Sequence, residues 1–185
     1  MIKISHLMED TYTYVYWDDP DKTIHDYGCN HYNVKKVLTQ INDVLEEVAN
    51  KLGKDSILII TADHGLIDTK TIYLNNFSEI TKYLTKLPSL EQRYMSFYVN
   101  DKEGFAKEFN KYFASYFDLY TKDEFLEKGF LGNDYEKAKE FLGDFIVIAK
   151  DKYAIDARQI SRTIKSKHAG ITSLEMMVPL IIYHK

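Results

Sequence analysis

Three short segments of the chain carry side chains of the kind that hold metal ions. Asp21 and His25 lie four residues apart, Asp63 and His64 are adjacent, and His168 stands in Lys167-His168-Ala169-Gly170. Carboxylate oxygens and neutral imidazole nitrogens are standard zinc ligands, at about 2.0–2.2 Å from the ion. On a helical turn, the spacing of Asp21 and His25 sets both on one face, where they can hold one ion together. His168 completes a three-ligand set and leaves the fourth position to water or substrate, which separates a catalytic zinc from a structural one. Asp63 and His64 would face opposite ways in a continuous strand. At a strand end, with Gly65 free to take unusual backbone angles, both can turn toward one ion. The expectation is three ligands for one metal and two for a second. Paired ions about 3.5–4 Å apart clamp the attacking and leaving oxygens of an in-line displacement at phosphorus.

Each segment also has a plainer reading. An Asp-x-x-x-His spacing arises by chance in helices, Asp-His-Gly makes a tight turn with an exposed ring, and His168 alone is an ordinary loop histidine. Their order and their placement at strand ends are what favour a shared metal site.

The elements that must position them follow from hydrophobic patterning. Ile57-Leu58-Ile59-Ile60 reads as a buried strand that delivers Thr61-Ala62-Asp63-His64-Gly65 to a loop, where open α/β sheets place their chemistry. Upstream, Thr11-Tyr12-Thr13-Tyr14-Val15-Tyr16-Trp17 is rich in aromatic and β-branched residues and reads as a strand ending at Asp18-Asp19-Pro20-Asp21. Between the two, Val34, Val37, Leu38, Ile41, Val44, Leu45, Val48 and Leu52 recur at helical spacing and give one apolar face. Asn30 or Asn33 is the expected cap of that helix and Gly53 its left-handed terminator. Strand, helix, strand is a βαβ unit, so the expected class is α/β, with a mostly parallel central sheet and covering helices.

Further along, Leu74 to Leu87 reads as a helix stopped by Pro88, Arg93 to Val99 as a strand, and Phe105, Phe109, Tyr112, Phe113 and Tyr116 as one helix face. Two short helices, 122–128 and 134–142, and a strand at 145–149 follow. Residues from about 72 to 166 are read as an inserted α+β cap within a single domain, 1–185. A short helix at 173–177 and a last strand at 178–183 close the chain.

Composition bounds the function. With 185 residues, 45% of them hydrophobic, the chain can bury a core of its own. The net charge of −4 gives no footprint for a nucleic-acid polymer or an anionic membrane. No run approaches the roughly 20 apolar residues of a membrane span. The first ten residues lack a signal-peptide pattern, which favours a cytoplasmic location. The single cysteine, Cys29, excludes an intramolecular disulfide and a Cys-based zinc knuckle, and reads as a small buried hydrophobe. The 15 tyrosines and 10 phenylalanines read as core and rim packing. His6 and His31 read as surface or capping residues, Tyr27 as packing against the helix or touching substrate, and Asp68 as a rim or turn-capping residue. Arg93 and Arg158 read as surface salt bridges or as phosphate contacts, which a guanidinium suits.

The flanks of the three segments narrow this. Tyr16-Trp17-Asp18-Asp19-Pro20-Asp21 with His25 and Gly28, then Thr61-Ala62-Asp63-His64-Gly65, then His168-Ala169-Gly170 with Glu175-Met176 and Val178-Pro179-Leu180, resemble the alkaline phosphatase superfamily. The likeness is to its type I phosphodiesterase and nucleotide pyrophosphatase branch. It implies an alkaline-phosphatase-like fold, two divalent metal ions (zinc, with manganese the alternative) and a small phosphate-ester substrate. By the resemblance Asp21, His25 and His168 hold one metal, and Asp63 and His64 the other. Family members carry an earlier Asp ligand and a Thr or Ser nucleophile at a helix start, which forms a covalent phospho-enzyme. Only 20 residues precede Asp21, Thr11 and Thr13 fall in the expected strand, and Ser5 lacks a strand-turn-helix setting. The chain is therefore expected to be an incomplete, C-terminal portion of such a hydrolase, slow or inactive alone. It is also expected to self-associate through an exposed sheet edge. Phosphomonoesterase, sulfatase or phosphomutase chemistry of the same superfamily, or a non-catalytic metal-binding relic, are the alternatives.

Overall fold

The computed structural model describes residues 1–158 and 164–185, and in it the aromatic run Thr11–Trp17 is not a strand. Tyr12 and Tyr14 are 90% and 73% exposed, and none of the described strands pairs with the run. Strand propensity is a fit to a pleated, half-buried surface; without a neighbouring ladder it has nothing to act on. The first limb of the expected βαβ unit is thus missing.

A cis Asp19–Pro20 peptide leads into helix α1 (Asp21–Tyr27). Helix α2 (Tyr32–Lys51) follows, capped by neither expected asparagine: the His31 ring accepts the Asn33 amide at 3.2 Å. Gly53 is not a left-handed terminator either. A Cβ there would collide with the Ser5 carbonyl, and the Gly53 amide donates to Ser5 Oγ at 3.0 Å, so the glycine permits a close chain crossing. The positive φ falls on Asp55 instead.

Strand β1 (Ile57–Thr61) ends at the Asp63-His64 loop, and β2 (Ile67–Asp68) and β3 (Lys70–Tyr73) continue from it. The expected helix from Leu74 shrinks to a single 3-10 turn and α3 (Ser78–Thr81). Its second half is claimed by the sheet: Thr85 donates to the Tyr98 carbonyl and Asn100 to that of Tyr83, with Leu84 bridging Val99. Next come β4 (Ser89–Glu91), β5 (Tyr94–Phe97), α4 (Lys102–Phe113), β6 (Phe117–Thr121), α5 (Lys122–Glu127), α6 (Glu136–Lys139), β7 (Phe145–Ala149), β8 (Tyr153–Asp156), β9 (Ser166–Lys167), α7 (Ser173–Met176) and β10 (Leu180–His184).

The α/β class holds, with mixed sheets. Strands β4-β5-β7-β6 form an antiparallel sheet, β1 pairs antiparallel with β10 and β2 with β9. Among the described residues parallel pairing is confined to β3 and β8, running from Lys70–Tyr153 to Tyr73–Asp156. Every residue of β7 is buried because both faces of its sheet are covered. Phe145 and Val147 point into a cluster with Phe97, Phe105, Phe109 and Phe113, while Ile146 and Ile148 pack with Phe125 and Leu142. Each fully buried phenylalanine contributes about 1.5–3 kcal/mol. This core lies between Leu74 and Ala157 in sequence, whereas the metal-type side chains sit on α1 and on the loops after β1 and β9.

Candidate metal centre

Helix α1 presents Asp21 and His25 one turn apart, with His25 Nε2 3.3 Å from Asp21 Oδ1. The other ring nitrogen, Nδ1, lies 2.6 Å from the Ser166 carbonyl. A carbonyl only accepts, so Nδ1 carries a proton and Nε2 is the nitrogen turned toward the carboxylate. Asp21 Oδ1 is buried and receives no hydrogen bond. The carboxylate oxygen and Nε2 face each other at 3.3 Å, a gap that a cation or a second proton would fill. A tetrahedral ion with bonds of about 2.0–2.1 Å spaces its ligands about 3.4 Å apart. The donor set fits a divalent cation on that ground.

The other two loops close on the same point. The donor atoms of Asp21, His64 and His168 lie within 4.8 Å of one another, a wider triangle than a bound ion would leave. The His64 and His168 rings stack at 3.9 Å between centroids with 18° between planes, and His168 stands 5.3 Å from the His25 ring. The His64 Nδ1 donates to the Gly65 carbonyl at 3.2 Å, which leaves Nε2 as the ring's acceptor nitrogen. Asp63 Oδ1 is 3.7 Å from that nitrogen and accepts the His64 amide at 3.1 Å. Burial, then the neighbouring His64, hold the His168 imidazole below its usual range, against the opposing pull of Asp21 and Glu91. The neutral ring is the form that binds metal.

All five residues singled out from the sequence therefore share one cleft. The tightest trio takes His64 from the second expected set and joins it to Asp21 and His168, with His25 and Asp63 flanking. Gly65 acts by closeness rather than by unusual angles: a Cβ would strike the Leu174 carbonyl, and its amide donates to the Glu175 carbonyl at 2.7 Å. Ala169 carries the positive φ of the third loop.

Around the cleft, Asp68 is structural. It accepts the Cys29 amide at 2.8 Å and Ser166 Oγ at 2.6 Å, fixing the carbonyl that orients His25. Burial pushes the Cys29 thiol up, away from the thiolate a metal needs. His31 stacks on Tyr27, and His6 bonds the Lys51 carbonyl. Arg93 is neither a surface salt bridge nor open to phosphate: it is 1% exposed and pairs with Glu175 through two bonds of 2.5 and 2.7 Å. Sequence reasoning missed this pair. A lone acid between Leu174 and Met176 was the available signal on one side, and nothing local marks Arg93 as its partner.

The chain is similar to known proteins in sequence and in fold. The family described as type I phosphodiesterase / nucleotide pyrophosphatase matches residues 5–170. The chain is 24% identical to the bis(5'-adenosyl)-triphosphatase ENPP4 of Pongo abelii over 182 residues, 94% of this chain and 38% of that relative. It is 36% identical to the mouse (Mus musculus) protein of that name over 62 residues, 30% of this chain and 14% of the relative. Murine ectonucleotide pyrophosphatase / phosphodiesterase 5 shares the fold at a TM-score of 0.71 and 17% identity, over 92% of this chain and 46% of that one. An inactive threonine-to-alanine variant of the murine protein, in complex with AMP, matches at a TM-score of 0.69 and 18% identity over the same shares of the two chains. The chain thus spans less than half the length of these relatives.

Proposed function

The chain belongs to the type I phosphodiesterase / nucleotide pyrophosphatase family, within the alkaline phosphatase superfamily, and from that premise we propose that it carries the metal-holding portion of a phosphoric-ester hydrolase. Asp21, His25 and His168 hold one divalent ion, and Asp63 and His64 a second; zinc is the first choice and manganese the alternative. The observation that carries this reading is the convergence of Asp21, His64 and His168 within 4.8 Å beside a buried, unbonded Asp21 Oδ1. Stacking of His64 on His168 supports both sets facing a single cleft. When bound, such ions stabilise charge on the oxygens of a phosphoryl group undergoing displacement.

The protein's own part is to aim its ligands. The Ser166 carbonyl fixes the His25 Nδ1, the Gly65 carbonyl that of His64, and burial lowers the His168 pKa, which favours the form that binds metal. The names of the relatives, a bis(5'-adenosyl)-triphosphatase and a protein complexed with AMP, support a small nucleotide-type phosphate ester as substrate. The threonine-to-alanine variant of the murine relative is inactive; a Thr or Ser nucleophile is the role that the family resemblance implies. We assign no residue to that role here and expect slow turnover at most from this chain alone. The concentration of the hydrophobic core between Leu74 and Ala157 supports reading residues 72–166 as a cap-like insertion in one catalytic domain.

The test is zinc titration of the full chain against a chromogenic chelator, alongside hydrolysis of bis(p-nitrophenyl) phosphate with and without chelator. Expected are zinc uptake that Asp21→Ala and His168→Ala each weaken by more than about 100-fold at the first site, and weak hydrolysis that the chelator removes. Absence of uptake, or uptake indifferent to both variants, overturns the assignment.

A further inference from the structure

We propose that Glu175, locked by Arg93, is the positioning residue of the metal centre and sets where His64 and His168 stand relative to each other. The two rings come from loops that are remote in sequence, so something must register one loop against the other. The short β2–β9 ladder sets Ile67 against Lys167 on one side of the rings, and on the other side a single residue bonds both loops. The Glu175 carbonyl accepts the Gly65 amide at 2.7 Å, one residue past His64. Its carboxylate accepts the Gly170 amide at 2.9 Å, two residues past His168, and Thr172 Oγ at 2.6 Å. Arg93 grips the same carboxylate with Nε and Nη2, and its Nη1 donates to the carbonyls of Asp151 and Tyr153 at 2.6 Å each.

Both glycines press against this residue. A Cβ on Gly170 would overlap the Glu175 carboxylate and the Arg93 guanidinium, and one on Gly65 would overlap the adjoining Leu174 carbonyl. Each loop therefore approaches as closely as a backbone without side chain allows. The paired side chains are 0% and 1% exposed. Burying an ion pair costs desolvation that its mutual attraction only roughly offsets, so fixing geometry is the gain to look for. Arg93 precedes β5, in the region read as the cap, so the clamp also ties that region to the cleft.

This rests on His64 and His168 being ligands only where zinc is the readout; ring placement is tested without it. The experiment uses the full chain as Glu175→Gln, Arg93→Lys and, as a destabilised control remote from the cleft, Val147→Ala. In metal-free protein the ring Cε1–H resonances of the histidines are assigned with His64→Gln and His168→Gln. Both ring signals are expected to move in Glu175→Gln and Arg93→Lys and to stay in Val147→Ala. Zinc Kd is expected to weaken by about 10-fold or more in Glu175→Gln, the scale of lost outer-shell support, and to remain at the wild-type value in Val147→Ala. If Glu175→Gln and Arg93→Lys lower the Tm as Val147→Ala does but leave ring signals and zinc Kd unchanged, the pair is merely structural and the proposal falls. If wild-type protein takes up no zinc, the proposed function fails and the ring signals decide on Glu175. Should Glu175→Gln not fold, Arg93→Lys carries the same readouts.

Discussion

His168 contacts both of the other imidazoles in the cleft, stacking on His64 and lying beside His25. Its removal should do more harm than loss of any supporting group. His168→Ala is expected to weaken zinc binding by more than about 100-fold, the upper end of outer-shell effects, with an unchanged far-UV spectrum. Zinc affinity in the wild type should fall as pH drops, because protons compete for the ring nitrogens; burial of His168 delays that loss to lower pH. Glu175 supplies a separate pH signature. Burial alone would raise its carboxyl, but the bonds from Arg93 and Thr172 outweigh this and hold it below its ordinary 4.5. The unfolded chain then binds the proton more readily than the native one. The stabilisation is fully present above about pH 4.5 and is lost as pH falls through the lowered native value. Urea midpoints of wild type and Glu175→Gln should accordingly converge below that pH. At this scale the convergence of Asp21, His25, Asp63, His64 and His168 was legible because metal chemistry restricts residue type and spacing. The clamp was not, because Arg93 and Glu175 stand 82 residues apart and neither has a local motif.

Elements were legible where periodicity and burial coincide. Phe105, Phe109 and Phe113 repeat every four residues and all three are buried along α4, and the apolar run of β7 is a strand covered on both faces. Phe109→Ala is expected to cost about 3–5 kcal/mol, read as a drop in urea midpoint, since the ring is fully buried among other phenylalanines. At the start of α5 the Thr121 and Glu124 side chains cap each other's amides. Thr121→Ala should cost only about 1 kcal/mol, because the site is exposed. Legibility failed where long-range pairing decides the outcome. Tyr83 to Thr85 joins the β5 neighbourhood instead of extending a helix. Strand β6 falls in the gap left between the expected helix face ending at Tyr116 and the expected helix at 122–128, and its place is set by β7, whose register it follows from Thr121–Phe145 to Phe117–Ala149.

At the scale of the molecule, the β1–β10 ribbon is the exposed counterpart of that covered sheet. Antiparallel partners share a face, and the register sets Ile59 opposite Ile182 and Thr61 opposite Leu180. Ile57, Ile59, Leu180 and Ile182 are each 60–68% exposed, so one face of the ribbon is an uncovered apolar strip. Neither strand has a second ladder partner among the described residues, which leaves two open edges as well. Open edges beside apolar surface promote pairing with another chain, and a net charge of −4 supplies little repulsion to oppose it. We therefore expect light scattering after gel filtration to report a mass above the 21.7 kDa monomer, rising with loading concentration. Ile59→Lys combined with Ile182→Lys places two cations opposite each other on that strip. It should return the protein to 21.7 kDa while leaving zinc uptake intact, because both side chains are exposed and neither belongs to the five metal-type residues. A wild-type chain that stays monomeric at millimolar concentration would mean the strip is not an association surface. Association that survives the double lysine variant would move the interface elsewhere, with the exposed Tyr12–Trp17 run the next place to test.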